Sequence, residues 1–140
     1  SDVFGAETPF SVILWVPLVD AWETKSMYIL PPETNRRVLP KLKEVTEEGG
    51  TEQLFETVKK DLRWVTVKYG EALVFSPILF HGNVLNETDE TRWSLNCRFT
   101  ELFTPYLTEE QNIGGFYLPI TTKVVSRVGM NYQLPSGFED

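Results

Sequence analysis

The stretch Arg92-Trp93-Ser94-Leu95-Asn96-Cys97-Arg98-Phe99 alternates polar and apolar residues without a break. Successive strand residues point to opposite faces, so the pattern predicts a strand, here over residues 92–103. Arg92, Ser94, Asn96 and Arg98 then share one face, and Trp93, Leu95, Cys97 and Phe99 share the other. Two readings are open. In one, the polar row meets water and the apolar row enters a sandwich core. In the other, the polar row lines the cavity of a barrel and the apolar row lies under outer elements. The second would make Arg92 and Arg98, with Ser94 and Asn96 between them, a wall suited to carboxylates, because a guanidinium clamps a carboxylate through two parallel hydrogen bonds.

Outward from this strand the chain is rich in short extended segments. Residues 10–18 are apolar on both faces, which predicts a central, buried strand. Residues 26–30 form a second strand, closed by Pro31-Pro32, and residues 64–69 and 72–75 form two more around the turn at Gly70. Short strands are also expected at 116–120 and 123–128. The best helical segment is 51–62, where Thr51 can cap and Leu54, Phe55, Val58 and Leu62 make one stripe. A weaker helical pattern over 35–45 is interrupted by Pro40 and ended by Gly49-Gly50. Many strands at short spacing predict an all-β barrel or sandwich decorated by one or two helices, as a single domain over residues 1–140.

The 140 residues carry 13 Lys+Arg against 20 Asp+Glu, a net charge of −7 that argues against a general nucleic-acid binder. Cys97 is the one cysteine, so no internal disulfide framework exists and a reducing compartment is expected. The start lacks a basic stretch followed by an apolar run, and the longest apolar stretches fall far short of the roughly 20 residues needed to span a bilayer. A soluble, cytoplasmic protein is the expectation. His81 is the one histidine, so no site needing two can be completed from this sequence alone.

His81 follows a predicted strand and precedes Gly82, at the head of the polar, turn-rich segment 83–91. A lone histidine in apolar surroundings can be structural; one at the mouth of a barrel, eleven positions before Arg92, can serve a site. The combination His81-Gly82-Asn83, Asn86 and Arg92-Trp93-Ser94, preceded by Gly70-Glu71 and the strand ending at Phe75, resembles the distal half of an iron(II)/2-oxoglutarate-dependent dioxygenase. It is most similar to the phytanoyl-CoA dioxygenase-like group, some of whose members act in bacterial carbohydrate and antibiotic clusters. Trp15-Val16-Pro17-Leu18-Val19-Asp20 and Met27-Tyr28-Ile29-Leu30-Pro31 resemble the strands that follow the first metal motif, so the likeness covers residues 2–103.

The resemblance implies a double-stranded β-helix (jelly roll) and an oxygenase that hydroxylates a small metabolite, with carbohydrates among the candidates, using iron(II), 2-oxoglutarate and O2. It implies His81 and Asp2 as metal ligands, Arg92 on the distal carboxylate of 2-oxoglutarate, and Ser94 beside it. The family's first histidine would stand ahead of Ser1, so the sequence is expected to begin inside its own metal motif. This form is then expected to hold iron weakly and turn over slowly or not at all, and a histidine placed ahead of Ser1 to restore affinity. Trp15, Lys25 and Arg98 are candidate substrate contacts; the plainer readings are a core tryptophan, a solvated lysine and a salt-bridged arginine. Asn86-Glu87-Thr88 fits a glycosylation acceptor by accident of sequence. Unpaired strand edges would favour a homodimer. A cupin-like barrel that binds a small anion without redox chemistry, and an inactive interaction domain, are the competing readings.

Overall fold

A computed structural model describes residues 8–101, 104–105, 111, 113–120 and 123–131, with only the backbone described at 42–52, 54, 126 and 129. Six strands are present among them: β1 (Val12–Pro17), β2 (Tyr28–Ile29), β3 (Arg63–Trp64), β4 (Leu73–Phe75), β5 (His81–Gly82) and β6 (Ser94–Phe99). They form two three-stranded sheets, ordered β4-β1-β6 and β3-β2-β5, with every strand pair antiparallel. The chain is therefore mostly small antiparallel sheets with few helices, compatible with an all-β fold.

β1 is the central strand of its sheet, as its apolar sequence predicts. Its residues alternate: Ile13, Trp15 and Pro17 are buried, whereas Val12 is exposed and Leu14 and Val16 are half-buried. The inner face packs with Phe75 of β4 and with Ala21, Met27 and Val67 into one core cluster, to which Ile29 of β2 and Leu79 also contribute. The Ala21–Val67 bridge ties the connection after β1 to the chain after β3.

β2 separates two cores. Ile29 faces the first sheet, and Tyr28 and Leu30 face the other way, where they pack with Val58 and Phe80. That second core is closed by the helix α1 (Pro32–Val58) through Val38, Leu39 and Phe55. The order of layers is thus sheet, sheet, helix. A fully buried aliphatic such as Ile13, with no exposed surface, is worth about 2–5 kcal/mol against alanine in such a core.

Several elements depart from the sequence expectation. α1 runs unbroken for 27 residues through Pro40 and Gly49-Gly50, merging the two helical segments expected at 35–45 and 51–62. Pro32 suits the first turn, where its missing N–H has no intrahelical partner to lose. Apolar residues near both ends of α1 pack on the second core, and such packing outweighs local breakers. The segment expected as a strand at 123–128 is instead a helix, α2 (Val124–Met130). Val124 and Val128 share a face under either period, whereas Val125 joins them only on a helical stripe. Residues 114–116 form a turn closed by a bridge between Ile113 and Tyr117, and 118–120 are irregular, so the strand expected at 116–120 does not form. β6 is shorter than expected, and residues 102–103 of that expected strand lie outside the described ones. Among the described residues, no helix is long and apolar enough to cross a membrane.

Candidate functional site

The faces of β6 are fixed by its partner. Ile13 pairs with Arg98, Trp15 with Asn96 and Pro17 with Ser94, so the polar row stands on the inner face of the first sheet. The apolar row shares the outer face with Val12, Leu14 and Val16. Trp93, Leu95 and Phe99 are 67%, 54% and 41% exposed, so the apolar row does not form the core of the described molecule. Ser94 and Asn96 are exposed as well and Arg98 is half-buried, so neither row of β6 forms a core among the described residues.

His81 lies on β5, opposite Ile29, and so faces the first sheet across the interior. Its ring meets that of Phe75 edge-on, with centroids 4.8 Å apart. Nδ1 lies 2.8 Å from the carbonyl oxygen of Leu79. A carbonyl only accepts, so Nδ1 carries a hydrogen in this contact, which fixes the orientation of the ring. Gly82 faces the other way. A Cβ built there would stand 2.7 Å from Cζ of Tyr28, so glycine is required for β5 to approach β2.

Arg92 enters the same interior from the residue pair ahead of β6. Its guanidinium carbon lies 5.8 Å from the centroid of the Trp15 ring, within cation–π range. Nη1 donates to the carbonyl of Ser26 at 3.0 Å and to Oδ1 of Asn83 at 2.8 Å. Both bonds use one nitrogen. Among the described residues no acceptor is recorded on the Nη2–Nε edge, the edge on which a carboxylate forms its two-point contact.

Trp15 and Phe75 relate the two groups. Trp15 pairs with Leu73, and Phe75 is two residues further along the same strand and face. They are diagonal neighbours, for which about 7–8 Å between backbones is usual. The imidazole and the guanidinium therefore rest on adjacent aromatic rings of one sheet face.

A cleft of about 420 Å³ opens beside Arg92. Lys25, Thr24, Asn83, Asn86, Glu90 and Arg92 are among its lining residues, whereas His81 is not. The structure thus brings Lys25 and Arg92 to one cleft, Trp15 beneath Arg92, and His81 against the same sheet face outside the cleft wall. Ser94 is exposed on β6, and Arg98 is half-buried four residues further along. Asp2 lies outside the described residues. Among the described residues no group of three His, Cys, Asp or Glu side chains could hold a metal ion.

Lys25 is not the solvated lysine that its sequence context allows: it is 1% exposed and ion-paired with Glu90. Trp15 is a core residue, and it also carries the Arg92 contact. The Lys25–Glu90 pair and the Arg92 bond to Ser26 were not legible in the sequence, because 65 or more positions separate the partners. Asn83 could have been found, since it stands beside Gly82 and within one loop of Arg92. No protein-family model, curated protein or solved structure matches the chain.

Proposed function

We propose that the chain is a double-stranded β-helix domain of the iron(II)/2-oxoglutarate oxygenase kind, acting on a small metabolite. The observation that carries this reading is the placement of His81 and Arg92 on adjacent aromatic residues of one interior sheet face. The strand order supports the fold. β1, β4 and β6 belong to one sheet and β2, β3 and β5 to the other, so the chain crosses repeatedly between two antiparallel layers, as a jelly roll does.

Within this reading Arg92 binds the distal carboxylate of 2-oxoglutarate through its Nη2–Nε edge. Asn83 and the Ser26 carbonyl hold the other side of the guanidinium, and Trp15 supports its plane. A planar fork fixed on three sides loses little freedom on binding, which lysine could not match. Ser94 lies two residues on along the same face. His81 and Asp2 would be the metal ligands this chain contributes, with the Leu79 carbonyl orienting the imidazole. Iron(II), when bound, supplies the activation of dioxygen that no side chain can provide. The protein's share is to place the keto acid end of the cosubstrate near His81 and to exclude water.

The test is the thermal stability of the protein with 2-oxoglutarate. The wild type is expected to be stabilised, Arg92→Ala to lose the effect, and Arg92→Lys to keep only a small part. Equal stabilisation of the wild type and Arg92→Ala, or none in either, would refute the cosubstrate assignment. Stabilisation that depends on Arg92 but is indifferent to a divalent metal would favour a non-redox barrel that binds small anions.

A further inference from the structure

Lys25, a candidate substrate contact in the sequence, has no part in holding iron or 2-oxoglutarate, and its surroundings carry an inference of their own. It is 1% exposed, yet its partner Glu90 is 65% exposed and belongs to the loop between β5 and β6. A buried ammonium demands a counter-charge, and here that charge is delivered by a surface carboxylate folded over the cleft. The loop carries its own framework. Asn86 Oδ1 accepts from the backbone N–H of Thr88 at 3.1 Å and from its hydroxyl at 2.8 Å. Asn86 Nδ2 donates to the Glu90 carbonyl at 2.8 Å. Residues 86–90 therefore form one self-braced turn. Its recorded ties to the 22–25 segment are the Lys25–Glu90 ion pair and the bond from Glu87 N–H to Thr24 Oγ1 at 3.1 Å.

We infer that Lys25 is an anion-binding residue latched by Glu90, and that an oxyanion group on a small polar ligand takes the place of the Glu90 carboxylate when it enters the cleft. The geometry points to exchange rather than addition. Lys25 is 1% exposed and covered by Glu90, so a ligand reaches its ammonium by displacing that carboxylate, and the Thr24 hydroxyl and Asn83 amide beside it in the cleft would serve the rest of a polar ligand. Arg92 adds a second positive charge at the same cleft, although its contacts with Trp15, Asn83 and Ser26 commit it to the interior. Release of Glu90 frees the braced turn from one of its two side-chain ties, so ligand entry and loop opening are one event. The inference is independent of the oxygenase reading, since it needs neither metal nor 2-oxoglutarate.

The test uses the full chain with inorganic phosphate as probe, in metal-free, low-salt buffer. Glu90→Gln removes the internal competitor while keeping shape, so phosphate is expected to bind roughly tenfold more tightly than to the wild type. In Lys25→Met/Glu90→Gln, which removes both charges and so leaves neither buried alone, binding is expected to vanish. Unchanged phosphate affinity in Glu90→Gln, or affinity retained in the double variant, would overturn the inference. A second readout does not depend on Glu90→Gln folding. Trp22 lies with its ring centroid 5.8 Å from Nζ of Lys25, so phosphate should change the fluorescence of the wild type in a saturable way that Trp22→Phe removes. Absence of that change would equally overturn it.

Discussion

At Gly82 and Tyr28 a single missing side chain sets the spacing between β5 and β2. The Tyr28 ring is held by Phe55, Trp64 and Phe80, with centroids 5.5, 5.7 and 6.2 Å away, so it cannot easily yield to a new neighbour. Gly82→Ala is expected to lose about 1–3 kcal/mol of stability and to displace His81 with its strand; denaturant unfolding measures the first and the His81 NMR shifts the second. Unchanged stability would mean that β5 has more freedom than the register implies. Burial also pushes the Tyr28 phenol above its ordinary range. The native state then holds this proton more tightly than the unfolded chain does. Its contribution is fully present below pH about 10 and is lost as pH rises through the raised value. Tyr28→Phe should flatten that alkaline part of the stability curve; an identical alkaline decline in both proteins would contradict it. None of this was readable from Tyr28 itself. The residue looks like any strand tyrosine until Gly82 is placed opposite it.

At the level of elements, β6 and α1 show what a sequence discloses. Alternation assigned each β6 residue to a face correctly, because period two is a property of the strand. It could not say which face turns inward. That depended on pairing with β1, whose Ile13 and Trp15 carry the polar row with them. α1 fails in the other direction. Pro40 and Gly49-Gly50 are local signals, and packing at Val38, Leu39, Phe55 and Val58 overrides them. Pro40 is exposed, and it denies the helix one backbone hydrogen bond. Pro40→Ala is therefore expected to stabilise the protein by about 1–3 kcal/mol, read as a higher urea midpoint. A lower midpoint would show that the helix needs proline at this point to meet its core.

Across the molecule, the division of the six strands among the described residues between two sheets creates an interior in which β5 and the start of β6 approach from different layers. His81 arrives from one sheet and Arg92 from the edge of the other, and the diagonal pair Trp15 and Phe75 receives both. The eleven-residue spacing from His81 to Arg92 made the pair visible in the sequence. The aromatic floor beneath it was not, since Trp15 and Phe75 belong to different strands. If one ligand bridges the two groups, metal and 2-oxoglutarate must bind with positive coupling, which is lost when His81 is removed, whereas removal of Arg92 weakens 2-oxoglutarate with or without metal. Calorimetric titration of 2-oxoglutarate with and without manganese(II), in the wild type, His81→Ala and Arg92→Ala, reads this directly. Tighter 2-oxoglutarate binding with metal in the wild type, with the gain absent from His81→Ala and the affinity lowered with and without metal in Arg92→Ala, is the predicted result; 2-oxoglutarate affinity that metal and His81 leave unchanged would contradict it.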